Sequence, residues 1–83
     1  MGHELTKNDI KKMEEEIEYR IHEVRKAALD DVKETRAQGD LSENFEYHAA
    51  KRFKNKNESR IRYLQRTIKN ATVIDDSSAD DEV

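Results

Sequence analysis

With 83 residues, of which 34% are apolar and 42% charged, the chain is too short and too polar to bury a thick globular core. Cysteine is absent, which excludes disulfides and thiolate metal sites, and no run is long and apolar enough for a transmembrane span or a signal peptide. A thin, elongated, cytoplasmic protein is therefore expected: proline is absent, glycine occurs only at 2 and 39, and charges crowd around regularly spaced aliphatics, as in long helices.

The first helix is expected to run from about 6 to 38. Thr6-Lys7-Asn8-Asp9 reads as a capping box, with Leu5 as the preceding hydrophobic residue. Ile10, Met13, Ile17, Ile21, Val24, Ala28 and Val32 follow at spacings of 3, 4, 4, 3, 4 and 4. That is an eleven-residue repeat, close to the natural period of a straight helix, and it predicts a nearly straight or slightly right-handed pair.

Gly39 follows the last periodic turn, where a left-handed residue can end a helix, so 39–43 is expected to form a tip. A second helix, over about 44–71, carries Leu41, Phe45, Ala49, Phe53, Asn57, Ile61, Leu64, Ile68 and Ala71 as its apolar row and its approach. Asn57 within that row reads as a polar residue that sets register. Two long helices joined by so short a turn must pack antiparallel, which makes the expected fold all-α: a two-helix coiled-coil hairpin over 1–74, with arms of roughly 45 Å. Thr72-Val73-Ile74 reads as an exit strand. Residues 75–83, acidic with two serines, read as a disordered linker leading to a further domain.

Charge is distributed unevenly behind a net value of -3. The acidic tail carries Asp75, Asp76, Asp80, Asp81 and Glu82, leaving the remainder net positive. From Lys51 to Lys69 the bases are Lys51, Arg52, Lys54, Lys56, Arg60, Arg62, Arg66 and Lys69, against Glu58 alone. Such a stripe can face phosphates or an acidic partner surface. Equally, it can be a solvated face balancing Glu14, Glu15, Glu16, Glu18 and Glu23 across the hairpin.

The tip is where chemistry can reside. Asp40 and Glu43 are separated by two residues beside the sharpest bend, so both carboxylates can converge on one point. Mg²⁺ takes hard oxygen ligands, often one or two carboxylates with substrate oxygens and water. Two carboxylates cannot make a tight site alone, so such an ion would have to be shared. The competing reading is a second capping box, with Asp40 as N-cap and Glu43 at the third position of helix two; spacing alone favours it. His3, His22 and His48 are too far apart in sequence to suggest a ligand cluster.

The run Arg36-Ala37-Gln38-Gly39-Asp40-Leu41-Ser42-Glu43-Asn44-Phe45-Glu46-Tyr47-His48-Ala49-Ala50-Lys51 resembles the tip signature of bacterial Gre transcript-cleavage factors. Leu5-Thr6, Glu58-Ser59-Arg60-Ile61 through Leu64, and Ala71-Thr72-Val73-Ile74-Asp75 also resemble the N-terminal domain of that family, nearest its GreA type.

The resemblance implies a coiled coil that enters the secondary channel of bacterial RNA polymerase. It assigns Asp40 and Glu43 to tip acids that act in the polymerase active site on its second Mg²⁺ and on cleavage of the backtracked RNA 3′ end. It implies no enzyme activity of the chain alone, no small-molecule substrate, no cofactor other than the shared Mg²⁺ and no membrane partner. Ser42, Asn44 and Tyr47 would shape the tip; Arg36, Lys51 and Arg52 would contact RNA or polymerase, although ion pairs within the hairpin would give Arg36 and Lys51 the same sequence pattern. Complete Gre factors have a second domain that is not represented here. Two other readings stay open: a channel binder that regulates without stimulating cleavage, and a structural coiled coil that self-associates.

Overall fold

A computed structural model describes residues 4–37 and 44–74. It shows strand β1 (Glu4–Thr6), helix α1 (Lys7–Tyr19), a π-helical turn (Arg20–Val24), helix α2 (Arg25–Arg36), helix α3 (Phe45–Lys69) and strand β2 (Thr72–Ile74). α1, the π turn and α2 make one arm, and α3 makes the other. Contacts pair Glu16 with Arg60, Arg20 with Asn57, and Thr35 with Asn44, so the arms run antiparallel. The radius of gyration is 18.3 Å and the principal extents are 64 × 24 × 15 Å. A compact domain of this length would have a radius of about 12 Å, so the molecule is a rod. Among the described residues, no helix is long and apolar enough to cross a membrane.

α1 starts as its sequence dictates. Thr6, extended at φ -78° and ψ 164°, accepts from the Asp9 N–H at 2.9 Å, and Asp9 Oδ2 accepts from the Thr6 N–H at 3.1 Å. Two donors left over at the helix start are thereby satisfied. At the same end of the rod, β1 and β2 pair in parallel, with Leu5 opposite Val73. The whole hairpin serves as the connection that a parallel pair requires.

The seam of α3 differs from the apolar row read in the sequence. Phe45 is 81% exposed and Phe53 53% exposed, and Ala49 is exposed as well. Tyr47, Ala50, Lys54, Asn57, Ile61, Leu64, Ile68 and Ala71 face the other arm instead, each at least half-buried. These positions alternate in steps of three and four, the heptad pattern that stays under a partner. Consecutive steps of four advance about 40° each around a helix of 3.6 residues per turn. Traced back from Asn57, the row Phe53-Ala49-Phe45 therefore climbs out of the seam. Leu41 lies outside the described residues.

The first arm shows why its stripe steps by eleven. Ile10, Met13 and Ile17 form one stretch in steps of three and four, and Ile21, Val24 and Ala28 form another. One extra residue separates the stretches, and it falls at the π turn, where the Arg25 N–H reaches back five residues to the Arg20 carbonyl. The arm is thus two α-helical stretches rephased by a bulge, rather than the single uninterrupted helix expected over about 6–38. Asn57, only 3% exposed, meets this bulge from α3: its Nδ2 donates to the Arg20 carbonyl at 3.2 Å, and its Oδ1 accepts from Arg20 Nη1 at 3.0 Å.

Guanidinium–carboxylate pairs surround that contact. Arg20 and Arg60 both donate to Glu16, at 2.7 and 3.0 Å, and Arg25 makes a two-pronged pair with Glu58 at 2.7 and 2.9 Å. Hydrogen bonds from Arg60 and then Arg20 hold the Glu16 carboxyl below its usual range, and Arg25 does the same for Glu58. The described core is thin: Ala28, Ala50, Ile61 and Leu64 are its buried apolar residues, and Leu64 is the one large side chain that is fully enclosed.

Candidate functional site at the hairpin tip

The two arms come to their distal ends at Ala37 and Asn44, and residues 38–43 join them. Asp40, Ser42 and Glu43 fall in that joining segment, outside the described residues. What the structure does define is the platform on which the segment stands.

Asn44 organises that platform. It caps α3, its Oδ1 accepting from the Tyr47 N–H at 2.9 Å, while its Nδ2 donates across the hairpin to the Thr35 carbonyl at 2.7 Å. Thr35 is itself buried and donates its hydroxyl to the Asp31 carbonyl at 2.8 Å. One asparagine therefore ends one arm, starts the other and ties them together. α3 begins at Phe45 with Asn44 as its cap, so the box that read Asp40 as N-cap of this helix does not describe how α3 starts. Thr35 was not singled out from the sequence. A threonine among charged residues carries no signal until its partner from the other arm is known.

The remaining site candidates divide by arm. Tyr47 is half-buried, with its ring 5.5 Å from that of His48 and the Lys51 ammonium 5.4 Å above it. This cation–π contact spans one helical turn, and its spacing of four is visible in the sequence. Arg36, in the last turn of α2, and Arg52 are exposed. Among the described residues, no ion pair engages Arg36, Lys51 or Arg52. Arg52 borders a shallow groove with Asn55, Lys56 and Ser59.

Farther along the basic stripe, Arg60 pairs with Glu16 across the hairpin and Arg62 donates to Ser59 at 3.1 Å. Charge balancing between the arms is thus real at Arg60, while the tip-proximal bases Lys51 and Arg52 stay open to solvent. Among the described residues, no three His, Asp or Glu side chains group closely enough to hold a metal ion. His22 bonds Glu18 at 3.1 Å, far from His48 in the chain.

The sequence family described as "Transcription elongation factor, N-terminal" matches residues 3–73. Among similar proteins, the transcription elongation factor GreA of Allorhizobium ampelinum is 44% identical over 71 residues, covering 86% of this chain and 45% of that protein. GreA of Halalkalibacterium halodurans is 42% identical over 81 residues, covering 98% of this chain and 51% of its own length. GreA of Chlorobium limicola is 39% identical over 71 residues, with 86% and 45% covered. The chain spans about half the length of these relatives. A match across both arms, the tip segment and the strand pair shows that the chain belongs to the N-terminal domain family of the GreA and GreB transcription elongation factors.

Proposed function

We propose that the hairpin enters the secondary channel of bacterial RNA polymerase and presents Asp40 and Glu43 to its active site, stimulating cleavage of backtracked RNA. The observation that carries this reading is the Asn44 tie to Thr35: it fixes the ends of both arms on either side of residues 38–43, within a rod 64 Å long. A 15 Å thickness suits a narrow passage, and relatives named transcription elongation factors supply the setting.

Asp40 and Glu43 would offer two hard carboxylate oxygens to an ion already held by the polymerase, and this donor set fits Mg²⁺ while being too small to hold it alone. When bound, Mg²⁺ stabilises charge on the attacking or leaving oxygen of phosphodiester cleavage. The carboxylates would also accept hydrogen bonds from water and orient it. Because Asn44 caps α3, neither acid is needed as the N-cap of that helix. Lys51, held over Tyr47, and the open Arg36 and Arg52 supply positive charge at the tip-proximal ends of the arms for RNA phosphate or acidic walls.

The decisive measurement is RNA cleavage by purified, backtracked bacterial polymerase with and without the chain. Stimulation is expected, with a loss of at least about tenfold in Asp40→Asn and Glu43→Gln, which keep side-chain size while weakening a metal ligand. The chain alone is expected to leave RNA intact. Polymerase binding with no stimulation would overturn the cleavage role in favour of regulation without it. Concentration-dependent mass without polymerase binding would point to a structural coiled coil.

A further inference from the structure

The steps of four that carry Phe45, Ala49 and Phe53 out of the seam leave two phenyl rings on one flank of α3, 81% and 53% exposed. Burying a phenyl ring removes on the order of 150–250 Å² from water, so leaving two in solvent near the tip is a feature to account for. Phe53 and Asp31 are shared by two adjoining grooves between the arms. One, about 440 Å³, is lined by Asp31, Thr35, Glu46, Ala49 and Ala50 as well. The other, about 450 Å³, adds Ala27, Ala28, Asp30 and Glu34.

Every ionisable side chain lining these two grooves is a carboxylate: Asp30, Asp31, Glu34 and Glu46. None of the four has an ion-pair partner among the described residues. The bases Arg52 and Lys56 line a separate groove with Asn55 and Ser59. The flank therefore combines apolar anchors, floors of small residues at Ala28 and Ala50, and an acidic rim. Phosphate would be repelled by it. Side chains that are apolar at helical spacing and flanked by Lys or Arg would be complemented in both shape and charge.

We propose that the flank formed by Phe45, Ala49 and Phe53, rimmed by Asp30, Asp31, Glu34 and Glu46, is a docking surface for a cationic amphipathic segment of a partner protein. This goes beyond the tip reading, since it requires neither Asp40 nor Glu43. It divides the hairpin's tip-proximal half into an acidic, apolar flank that receives protein and the separate bases Lys51 and Arg52.

The test is an NMR titration of the ¹⁵N-labelled 83-residue chain with a synthetic Leu/Lys peptide of helical period, compared with a Leu/Glu counterpart. The Leu/Lys peptide is expected to shift amides in 45–53 and 27–35, with binding weakened by added salt. Phe45→Ala combined with Phe53→Gln should lower affinity by at least about tenfold. Asp31→Asn combined with Glu34→Gln should lower both affinity and its salt dependence; this pair keeps the proposal testable should the phenylalanine variant lose its fold. The proposal is overturned if no amides shift, if shifts centre on the other acidic surface around Glu14 and Glu18, or if the Leu/Glu peptide binds equally well. Movement of the same amides with chain concentration alone would also overturn it, by making a second copy the occupant.

Discussion

The two halves of the hairpin are built on different principles. Toward the strand pair, Ile61 and Leu64 are almost completely enclosed in the seam, and polar pairing gathers in a belt of Glu16, Arg20, Arg25, Asn57, Glu58 and Arg60. Toward the tip, the fully buried seam residues are the small Ala28, Thr35 and Ala50, with Val32 and Tyr47 half-buried beside them, and the two phenylalanines, Phe45 and Phe53, lie outside it. The base is therefore held by transfer of aliphatic groups from water. The tip-proximal half is held by short polar ties, with its phenyl rings left available. Hydrophobicity in the tip half thus reports on surface, whereas in the base half it reports on stability.

The sharpest way to break this comparison is to truncate on each side of it. Leu64→Ala is expected to cost about 2–5 kcal/mol of unfolding free energy, because it empties the only fully enclosed large side-chain site among the described residues. Phe45→Ala, though it removes more atoms, is expected to change stability by about 0.5 kcal/mol or less. Chemical denaturation of the two variants under identical conditions measures both; comparable losses would mean that the tip half relies on its aromatics after all.

A second test addresses the boundary between the halves. Asn57→Ala leaves Arg20 Nη1 without its partner and removes the donor that reaches the bulged carbonyl, with an expected cost of about 1–3 kcal/mol. Doubling of amide signals around 20–24 would show in addition that the two arms had lost a single register. A single set of signals with unchanged stability would remove Asn57 from this role.

At the tip end, Asn44→Ala deletes the cap of α3 and the bond to Thr35 together. The expected cost is about 0.5–2 kcal/mol, expressed locally: amide exchange at 45–48 should accelerate while that of 58–67 stays near its original rate. Uniform acceleration would show that the halves unfold as one unit and that the distinction is static only.

The smallest expected effect is on acid stability. Glu16 and Glu58 are held below the ordinary carboxylate value of 4.5, so their ion pairs stabilise the fold above that pH in full. The contribution is lost as pH falls from 4.5 through the depressed folded-state values, because the unfolded chain takes up protons first. Both pairs are partly exposed, so each should contribute below about 1 kcal/mol and weaken with salt. Melting temperatures of Glu58→Gln and the unchanged chain should converge as pH drops below that range; a constant gap would assign the effect of Glu58 to packing.

Residues 7–36 and the base half of α3 were legible from periodicity, and Thr6 announced its own capping box, because these features depend on neighbours within one or two turns. The resemblance of Arg36–Lys51 likewise marked the tip segment before any geometry was known. Three-dimensional packing decided the rest. It placed Tyr47, Ala50 and Lys54 in the seam in place of Phe45, Ala49 and Phe53, since an apolar row shows where a helix could be buried and only the opposing arm shows which face is. It converted an eleven-residue stripe into two stretches joined by a π turn, because the partner seam steps by three and four and the spare residue had to bulge. It paired Leu5 with Val73, and it joined Asn44 to Thr35 and Asn57 to Arg20. Those contacts span 9 to 68 residues of chain, so no local pattern encodes them and they exist only once the arms are side by side.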